Sequence, residues 1–402
     1  MKIFVINPGS TSTKFSVSDG QAMIWNTTVH HPADELAGFN HPNEQLDYRN
    51  RAMHRAIEEA GLDISEFDAV IGRGGLLRPT PGGVYEVDEY IIHDLIHAEM
   101  EHVCNLGALL ADILAKEAGC RSFIADPEVV DEFMPEARLS GLPMLERRSV
   151  FHALNGKAVA RLYAREIGRR YDELNLIVVH MGGGISVEAD SLKKDVDGED
   201  ALGGGGGNAH RLGKVVDVNN ALNGDGPYSP ERAGTLPADQ FAELCFSGKY
   251  TLREIKKMIN GRGGLAAYLG TNDTRLIEQK ALAGEEPYKG VLEGMLYGTA
   301  REIGARSVAL RGKVDAIIIT GGIAHSKYCV DRIVEWAGFI GPVVVRPGED
   351  EMFSLAFNAA CALTGELPIS IYDPDGTRAA ARQSADAPEE VPAEASLEPA
   401  MA

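Results

Sequence analysis

Cysteine is scarce in this 402-residue chain. The five present, Cys104, Cys120, Cys245, Cys329 and Cys361, are odd in number, far apart and form no C-x-x-C pair. That pattern argues against a disulfide framework or a zinc-thiolate site and fits reduced thiols in a cytosol. Positive charge is also short: 39 Lys and Arg against 59 Asp and Glu leave a net charge of −20. A broad nucleic-acid surface needs clustered Lys and Arg, so the balance argues against one, while a local basic pocket for a small anion stays open. No run approaches the ~20 apolar residues that cross a bilayer. The apolar stretch at Lys2–Ile6 is too short for a signal peptide. The expectation is a soluble, cytoplasmic protein with neither nucleic-acid nor membrane partners. Two nucleotide signatures are missing as well. Gly248-Lys249 is followed by Tyr250 and Gly312-Lys313 by Val314, so there is no G-x-x-x-x-G-K-[ST], and no strand leads into G-x-G-x-x-G.

What is present is an alternation. Apolar residues make up 44% of the chain, enough for large cores, and the length suggests two or three domains at about 150 residues each. Short β-rich runs at Lys2–Ile6, Lys14–Ser18, Ala22–Val29, Ala69–Ile71, Ser122–Ala125, Leu174–His180, Ile185–Ala189, Lys214–Val218, Ala316–Thr320 and Pro342–Arg346 alternate with helical patterns. The helices are expected at Asn43–Ala60, Ile92–Ala118, Phe151–Ile167, Ala238–Phe246, Thr251–Met258, Tyr288–Leu310, Lys327–Trp336 and Glu351–Thr364. Such alternation indicates an α/β protein. Asp190–Asn208 carries a charged run and five consecutive glycines, and reads as a surface loop. From Asp373 the chain is Ala-, Pro- and acid-rich with almost no large apolar residues, and reads as a disordered tail.

One echo matters more than any single element. Ile3–Ser10 runs as an apolar strand into a Gly/Ser turn and a second strand, Lys14–Val17. Leu176–Gly184 repeats this into Ile185–Val187. Two copies of one hairpin suggest a duplicated domain, with residues 1–150 as the first copy and 151–372 as the second, the second carrying a loop insertion at 188–207.

The hairpin turns carry candidate chemistry. Asn7, Gly9, Ser10, Ser12 and Lys14 offer a close backbone, hydroxyls and one positive charge to phosphate oxygens. Gly182, Gly183 and Gly184, with Ser186, form the second turn. Two such turns facing each other would grip a polyphosphate from both sides. A third turn, Gly321-Gly322-Ile323-Ala324, is either a structural strand-to-helix turn or a platform for a ring or ribose. Asp273 and Arg275 either contact a nucleotide or cap the next helix. Arg73 stands between Gly72 and Gly74. Asp126 ends a strand, His152 opens a helix, His180 ends a strand, and Arg232 lies in a loop. Each singly has a dull explanation, but strand ends in α/β halves are where ligands bind.

Several of these residues sit in motifs that resemble the acetate kinase/butyrate kinase family, part of the superfamily of sugar kinases, heat-shock chaperones and actin. The resemblance lies in INPGSTSTK (6–14), GRGGLL (72–77), RRSVFHALN (147–155), HMGGGIS (180–186), DVNNAL (217–222), GPYSPER (226–232) and PGEDEM (347–352). Apart from the opening motif, these stretches point to the butyrate kinase branch. The resemblance runs from Met1 to about Leu367. It implies two ribonuclease-H-like (actin-like ATPase) domains with a nucleotide cleft between them. It also implies a homodimer and reversible phosphoryl transfer from ATP, with Mg²⁺, to a short-chain carboxylate, giving ADP and an acyl phosphate. Butyrate leads; branched-chain acids, propionate and acetate are alternatives, and an ATP-binding switch is the alternative of another class. By position, the resemblance makes Arg73, Asp126, His152, His180 and Arg232 catalytic. It assigns Asn7, Ser10, Ser12, Lys14, Gly182–Gly184, Asp273, Arg275, Gly321, Gly322 and Ile323 to ATP, and Asn7 with Glu351 or Glu349 to the metal. The insertion and the tail depart from the family pattern.

Overall fold

The computed structural model describes residues 1–20, 22–98, 101–191, 213–376 and 378. Its strands are β1 Ile3–Pro8, β2 Ser12–Ser18, β3 Met23–His30, β4 Ala69–Gly72, β5 Val84–Glu86, β6 Arg121–Ala125, β7 Leu176–Met181, β8 Ile185–Ser191, β9 Lys214–Val218, β10 Ala316–Gly321, β11 Val343–Pro347 and β12 Ile369–Ser370. The longer helices are α1 Leu46–Glu59, α2 Glu89–Ile96, α3 Leu106–Ala118, α4 Ala153–Glu166, α5 Ala238–Phe246, α6 Leu252–Ile259, α7 Thr274–Leu282, α8 Tyr288–Ala309, α9 Lys327–Ala337 and α10 Glu351–Leu363.

Two sheets form, with orders β12-β5-β6-β4-β1-β2-β3 and β11-β10-β7-β8-β9. In the first, β1–β2 and β2–β3 are antiparallel, and β4 and then β6 add in parallel. In the second, β7–β8 and β8–β9 are antiparallel, and β10 and then β11 add in parallel. The run β3-β2-β1-β4-β6 therefore matches β9-β8-β7-β10-β11 strand for strand. The hairpin echo in the sequence is a duplication of this architecture, a ribonuclease-H-like α/β fold.

β1 and β7 are fully buried because each is central in its sheet with helices over both faces. Side chains alternate along β1. Phe4 and Ile6 join Met53 and Ile57 of α1 and Leu110 and Leu114 of α3. Ile3 and Val5 join Leu355, Ala359 and Ala362 of α10. In the second sheet, Ile177, Val179, Ile317 and Ile319 pack on α8 and α9, while Leu176, Val178 and Ile318 pack on α4. Among the described residues no helix is long and apolar enough to cross a membrane.

α10 covers the first sheet and β12 pairs with β5, so the last stretch of 151–372 packs on the first sheet. Two expectations need correction. The helix expected over Ile92–Ala118 is two, α2 and α3. The chain turns between them because buried Asn105 is held by the Leu76 N–H, 2.8 Å from its Oδ1, and α3 starts against β4 at Gly107. The loop expected from Asp190 starts later, since Glu188–Ser191 belong to β8 and Glu188 and Asp190 are fully buried. The rest of that insertion, 192–207, and most of the tail after Asp373 lie outside the described residues. β5 and β12, three and two residues long, were not expected because such runs carry no periodic pattern.

Candidate active site

The strand ends meet in a cleft between the two sheets. The β1–β2 turn closes by a hydrogen bond from the Gly9 N–H to Ser12 O, 2.7 Å, and the β7–β8 turn by one from Gly182 N–H to Gly184 O, 2.8 Å. Arg49 of α1, fully buried, braces the first turn from beneath. It donates to Ser10 O at 3.3 Å, Ser12 O at 3.2 Å and Thr13 Oγ1 at 2.8 Å. Its remaining bonds go to Gln45 Oε1. Burial lowers its pKa to about 10. A charged guanidinium under a phosphate turn raises the local positive potential.

Arg73 follows β4 at a point fixed by paired glycines. A Cβ on Gly72 would come within 2.0 Å of Gly107 O, and one on Gly107 within 2.6 Å of the Arg73 backbone. Only glycine at both positions lets α3 lie directly on the strand. The Arg73 guanidinium pairs with Glu128 at 2.6 Å and with Glu351. Burial works against its charge, but these two carboxylates hold it firmly protonated.

Two histidines stack face to face beside it, centroids 3.9 Å apart and 14° from parallel. His152 caps α4, and its Nδ1 lies 3.1 Å from Ser186 Oγ. His180 is the penultimate residue of β7, with Nδ1 2.9 Å from Asn155 Nδ2 and Nε2 3.6 Å from a Glu349 oxygen. Burial holds His180 down at about 4, and Arg232 adds to the effect. Burial pushes His152 well down too, helped by His180, Arg232 and Arg73. Both rings are therefore neutral at pH 7 and carry one N–H each.

Arg232 lies across the second turn, so close that a Cβ on Gly184 would come within 1.7 Å of its Nη1. Nη1 donates to Ala221 O at 2.7 Å, and buried Nε has no partner among the described residues. Burial lowers its pKa. It has donor capacity to spare among the described residues.

At the cleft's other wall, Gly321 and Gly348 exchange backbone hydrogen bonds of 3.0 and 2.9 Å, which places the third glycine turn beside Glu349 and Glu351. Gly321 has φ +88, and a Cβ there would strike Met181, while Gly322 is open on all sides. A cavity of about 200 Å³ is lined by Asn7, Lys14, Glu349, Asp350, Glu351 and Met352. Asn7 Nδ2 donates to Glu351 Oε2 at 2.5 Å. Burial opposes the charge of Glu351, but Arg73 and Asn7 lower its pKa overall; burial and then Glu351 raise that of Glu349. Glu349 and Glu351 thus share one site. A larger cavity of about 530 Å³, among α7, α8 and α9, contains none of the expected residues.

Four expected residues sit differently from the others. Asp126, at the end of β6 with φ +37, is 1% exposed and accepts from both Nη atoms of Arg161 and from Gly83 N–H. The arginine it orients is Arg161, which also reaches Asn358 of α10 at 2.7 Å. Asp273 caps α7, accepting from the Arg275 and Leu276 N–H groups at 3.0 and 3.2 Å, and Arg275 is exposed. The Ile323 side chain packs in the apolar core, leaving only its backbone to face a ligand. Sequence reading missed Arg49, Asn155, Arg161 and Glu128. Arg49 carried a signal, a charged residue on the helical stripe that includes Met53, Ala56 and Ile57.

A model of the acetokinase family matches residues 232–344. A protein of Phocaeicola vulgatus described as a probable butyrate kinase is 59% identical over 375 residues, 93% of this chain and 100% of that one. A second of that description, from Listeria innocua serovar 6a, is 47% identical over 92% of this chain and 99% of its own. Among solved structures, Porphyromonas gingivalis acetate kinase superposes with a TM-score of 0.69 at 16% identity, covering 90% of this chain and 99% of that one. A Francisella tularensis propionate kinase gives 0.64 at 15%, covering 89% and 98%. At those identities the structures speak to the fold, and the sequence relatives settle the kinship: the chain belongs to the acetokinase family.

Proposed function

We propose that this protein transfers the γ-phosphoryl group of ATP reversibly to butyrate, giving butyryl phosphate and ADP, as a cytoplasmic homodimer. The observation that carries the reading is Arg232, a half-buried guanidinium whose Nε has no partner among the described residues, which with Arg73 acts on the two stacked neutral histidines by the second glycine turn. A carboxylate is ionised at pH 7 and attacks phosphorus without a general base. One carboxylate oxygen forms the new P–O bond as the bond to the ADP oxygen breaks, and ADP leaves with the electron pair. What such a reaction needs is alignment and stabilisation of the equatorial oxygens. Arg232 and Arg73 supply fixed donors that suit carboxylate and phosphate. Histidines held neutral serve as hydrogen-bond donors and take no proton from the substrate.

The donor set of the smaller cavity fits Mg²⁺. Among the described residues no group of three or more His, Cys, Asp or Glu forms a metal cage. Mg²⁺ favours one or two carboxylates together with waters and substrate phosphates. Glu349 and Glu351, with Asn7 beside them, would hold it, and it would supply charge neutralisation at the phosphates. Exposed apolar side chains on α5 and α6, Phe246 at 92% and Leu252 at 71%, support a second copy covering this face.

The test is a hydroxamate assay for acyl phosphate with ATP and, in turn, acetate, propionate, butyrate and isobutyrate. Butyrate should give the highest kcat/KM. Acyl phosphate from none of them would favour an ATP-binding switch; preference for another acid would reassign the pocket. One methylene is worth only about 1–3 kcal/mol of discrimination, so the ranking must be measured, not assumed.

A further inference from the structure

Behind the stacked histidines runs a buried line of polar groups that phosphoryl transfer, as derived above, does not use. His152 Nδ1 is 3.1 Å from Ser186 Oγ, and Ser186 Oγ is 3.3 Å from Glu188 Oε1. Ser186 and Glu188 are two apart on β8, so they share a face of the strand. Both are fully buried. Glu188 lies so close to α4 that a Cβ on Gly156 would come within 2.2 Å of its Oε2, and that oxygen has no hydrogen-bond partner among the described residues.

Among the described residues the charges around Glu188 do not balance. Asp190, two residues on along β8, is fully buried, and neither of its oxygens is in a close hydrogen bond with a described residue. Tyr171, before β7, and Glu132, after β6, face the same space. Among the described residues the cations there are Lys157 and Arg161 of α4. Lys157 is already 2.8 Å from Glu132 and 3.1 Å from Gly213 O, and Arg161 is held by Asp126. A buried carboxylate without a counter-charge is costly enough that it takes up a proton instead. Burial raises the pKa of both carboxyls, with Asp190 adding to the effect on Glu188.

The direction of the hydrogen bonds follows from that proton. A protonated Glu188 donates its O–H to Ser186 Oγ. The Ser186 hydroxyl then donates to His152 Nδ1, and the ring's one proton is on Nε2. An ionised Glu188 reverses every bond: it accepts from Ser186, which accepts from Nδ1–H, and Nε2 is left bare. Neutral His152 offers a donor to the cleft only in the first arrangement.

We propose that Glu188, as a buried neutral acid acting through Ser186, is a positioning residue that holds His152 in its Nε2–H tautomer and so keeps it a donor toward the phosphoryl oxygens. The purpose of that donor rests on the carboxylate-kinase reading; the tautomer does not. The test compares full-length wild type with Glu188→Gln, Glu188→Ala and Ser186→Ala in the hydroxamate assay with butyrate. It also records the side-chain ¹⁵N–¹H pattern of histidine-labelled protein. Glutamine always carries N–H donors and cannot ionise, so Glu188→Gln should keep kcat near wild type and lose an alkaline limb that wild type shows. Glu188→Ala and Ser186→Ala should lower kcat by about 10–100-fold with the KM for ATP unchanged. Wild type should show His152 protonated on Nε2. An Nδ1–H pattern in wild type, an alkaline limb that persists in Glu188→Gln, or equal kcat in Glu188→Gln and Glu188→Ala would overturn the proposal. Wild type that makes no acyl phosphate would instead overturn the kinase reading, and the ¹⁵N pattern would still decide the tautomer.

Discussion

Replacing Asp126 by Asn isolates one charge in a deeply buried ion pair near the cleft. The Asp126 and Arg161 side chains are 0% and 5% exposed. Asparagine tolerates the left-handed backbone that φ +37 imposes, so the substitution adds little strain. Its Oδ1 can still accept from Gly83 N–H and Arg161 Nη2, as Asp126 Oδ1 does now. Its Nδ2, however, faces Arg161 Nη1, donor against donor, and Nη1 keeps only Asn358. Removing one partner of a buried pair costs about 3–5 kcal/mol, and the retained bonds place this case near 3. For a chain of this size that is roughly a 4 °C fall in melting temperature. Adding Arg161→Met removes the stranded charge and should recover most of the loss. Because Asp126 touches Arg161 and not the cleft, the double variant should also regain acyl phosphate formation. Asp126→Asn melting within 1 °C of wild type would refute the electrostatic reasoning. A double variant that is stable but inactive would place Asp126 among the reacting groups.

His180 gives a pH test. Its folded pKa of about 4 lies below the usual 6.5, so the unfolded chain binds more protons between those values. Its contribution is complete above pH 6.5 and is lost as pH falls toward 4, by about 1.4 kcal/mol per pH unit. In urea titrations at pH 7, 6 and 5, the stability advantage of wild type over His180→Asn should shrink with that slope; a constant difference would contradict the burial argument. Gly72→Ala drives a methyl into Gly107 O and should cost at least about 1–3 kcal/mol by thermal melting. Gly304→Ala, where a Cβ meets nothing, should be neutral or stabilising. Arg49→Met removes the brace under the first turn and should raise the KM for ATP about tenfold, the value of a charged hydrogen bond, with little change in the KM for butyrate.

Much of the fold was legible because the central strands are continuous apolar runs and the two hairpins repeat. β1 and β7 could be placed to within two residues for that reason. The return of α10 to the first sheet was not legible: its apolar face reads the same whichever sheet it covers, and only β12 pairing with β5 reveals the partner. At the site, Arg73, Arg232, His152 and His180 were visible as polar residues at strand ends and glycine turns. Their supports were not. Glu128, Asn155 and Arg161 look like ordinary surface-forming residues until distant elements bring them together. Asp190 was read as the start of a charged loop because acids beside a glycine run suggest solvent, yet the β8 register turns it inward with Glu188, which the Ile185–Ala189 run already placed on a strand.

The chain passes between its halves twice, once on the way to α4 and again just before α10. A gene truncated after residue 150 would therefore make a sheet with one face bare, since Ile3, Val5, Ile71 and Phe123 find their cover in Leu355, Ala359 and Ala362. Anyone dissecting this protein into pieces should graft the closing helix onto the opening segment; cut at the apparent midpoint, the fragment would precipitate through that naked surface.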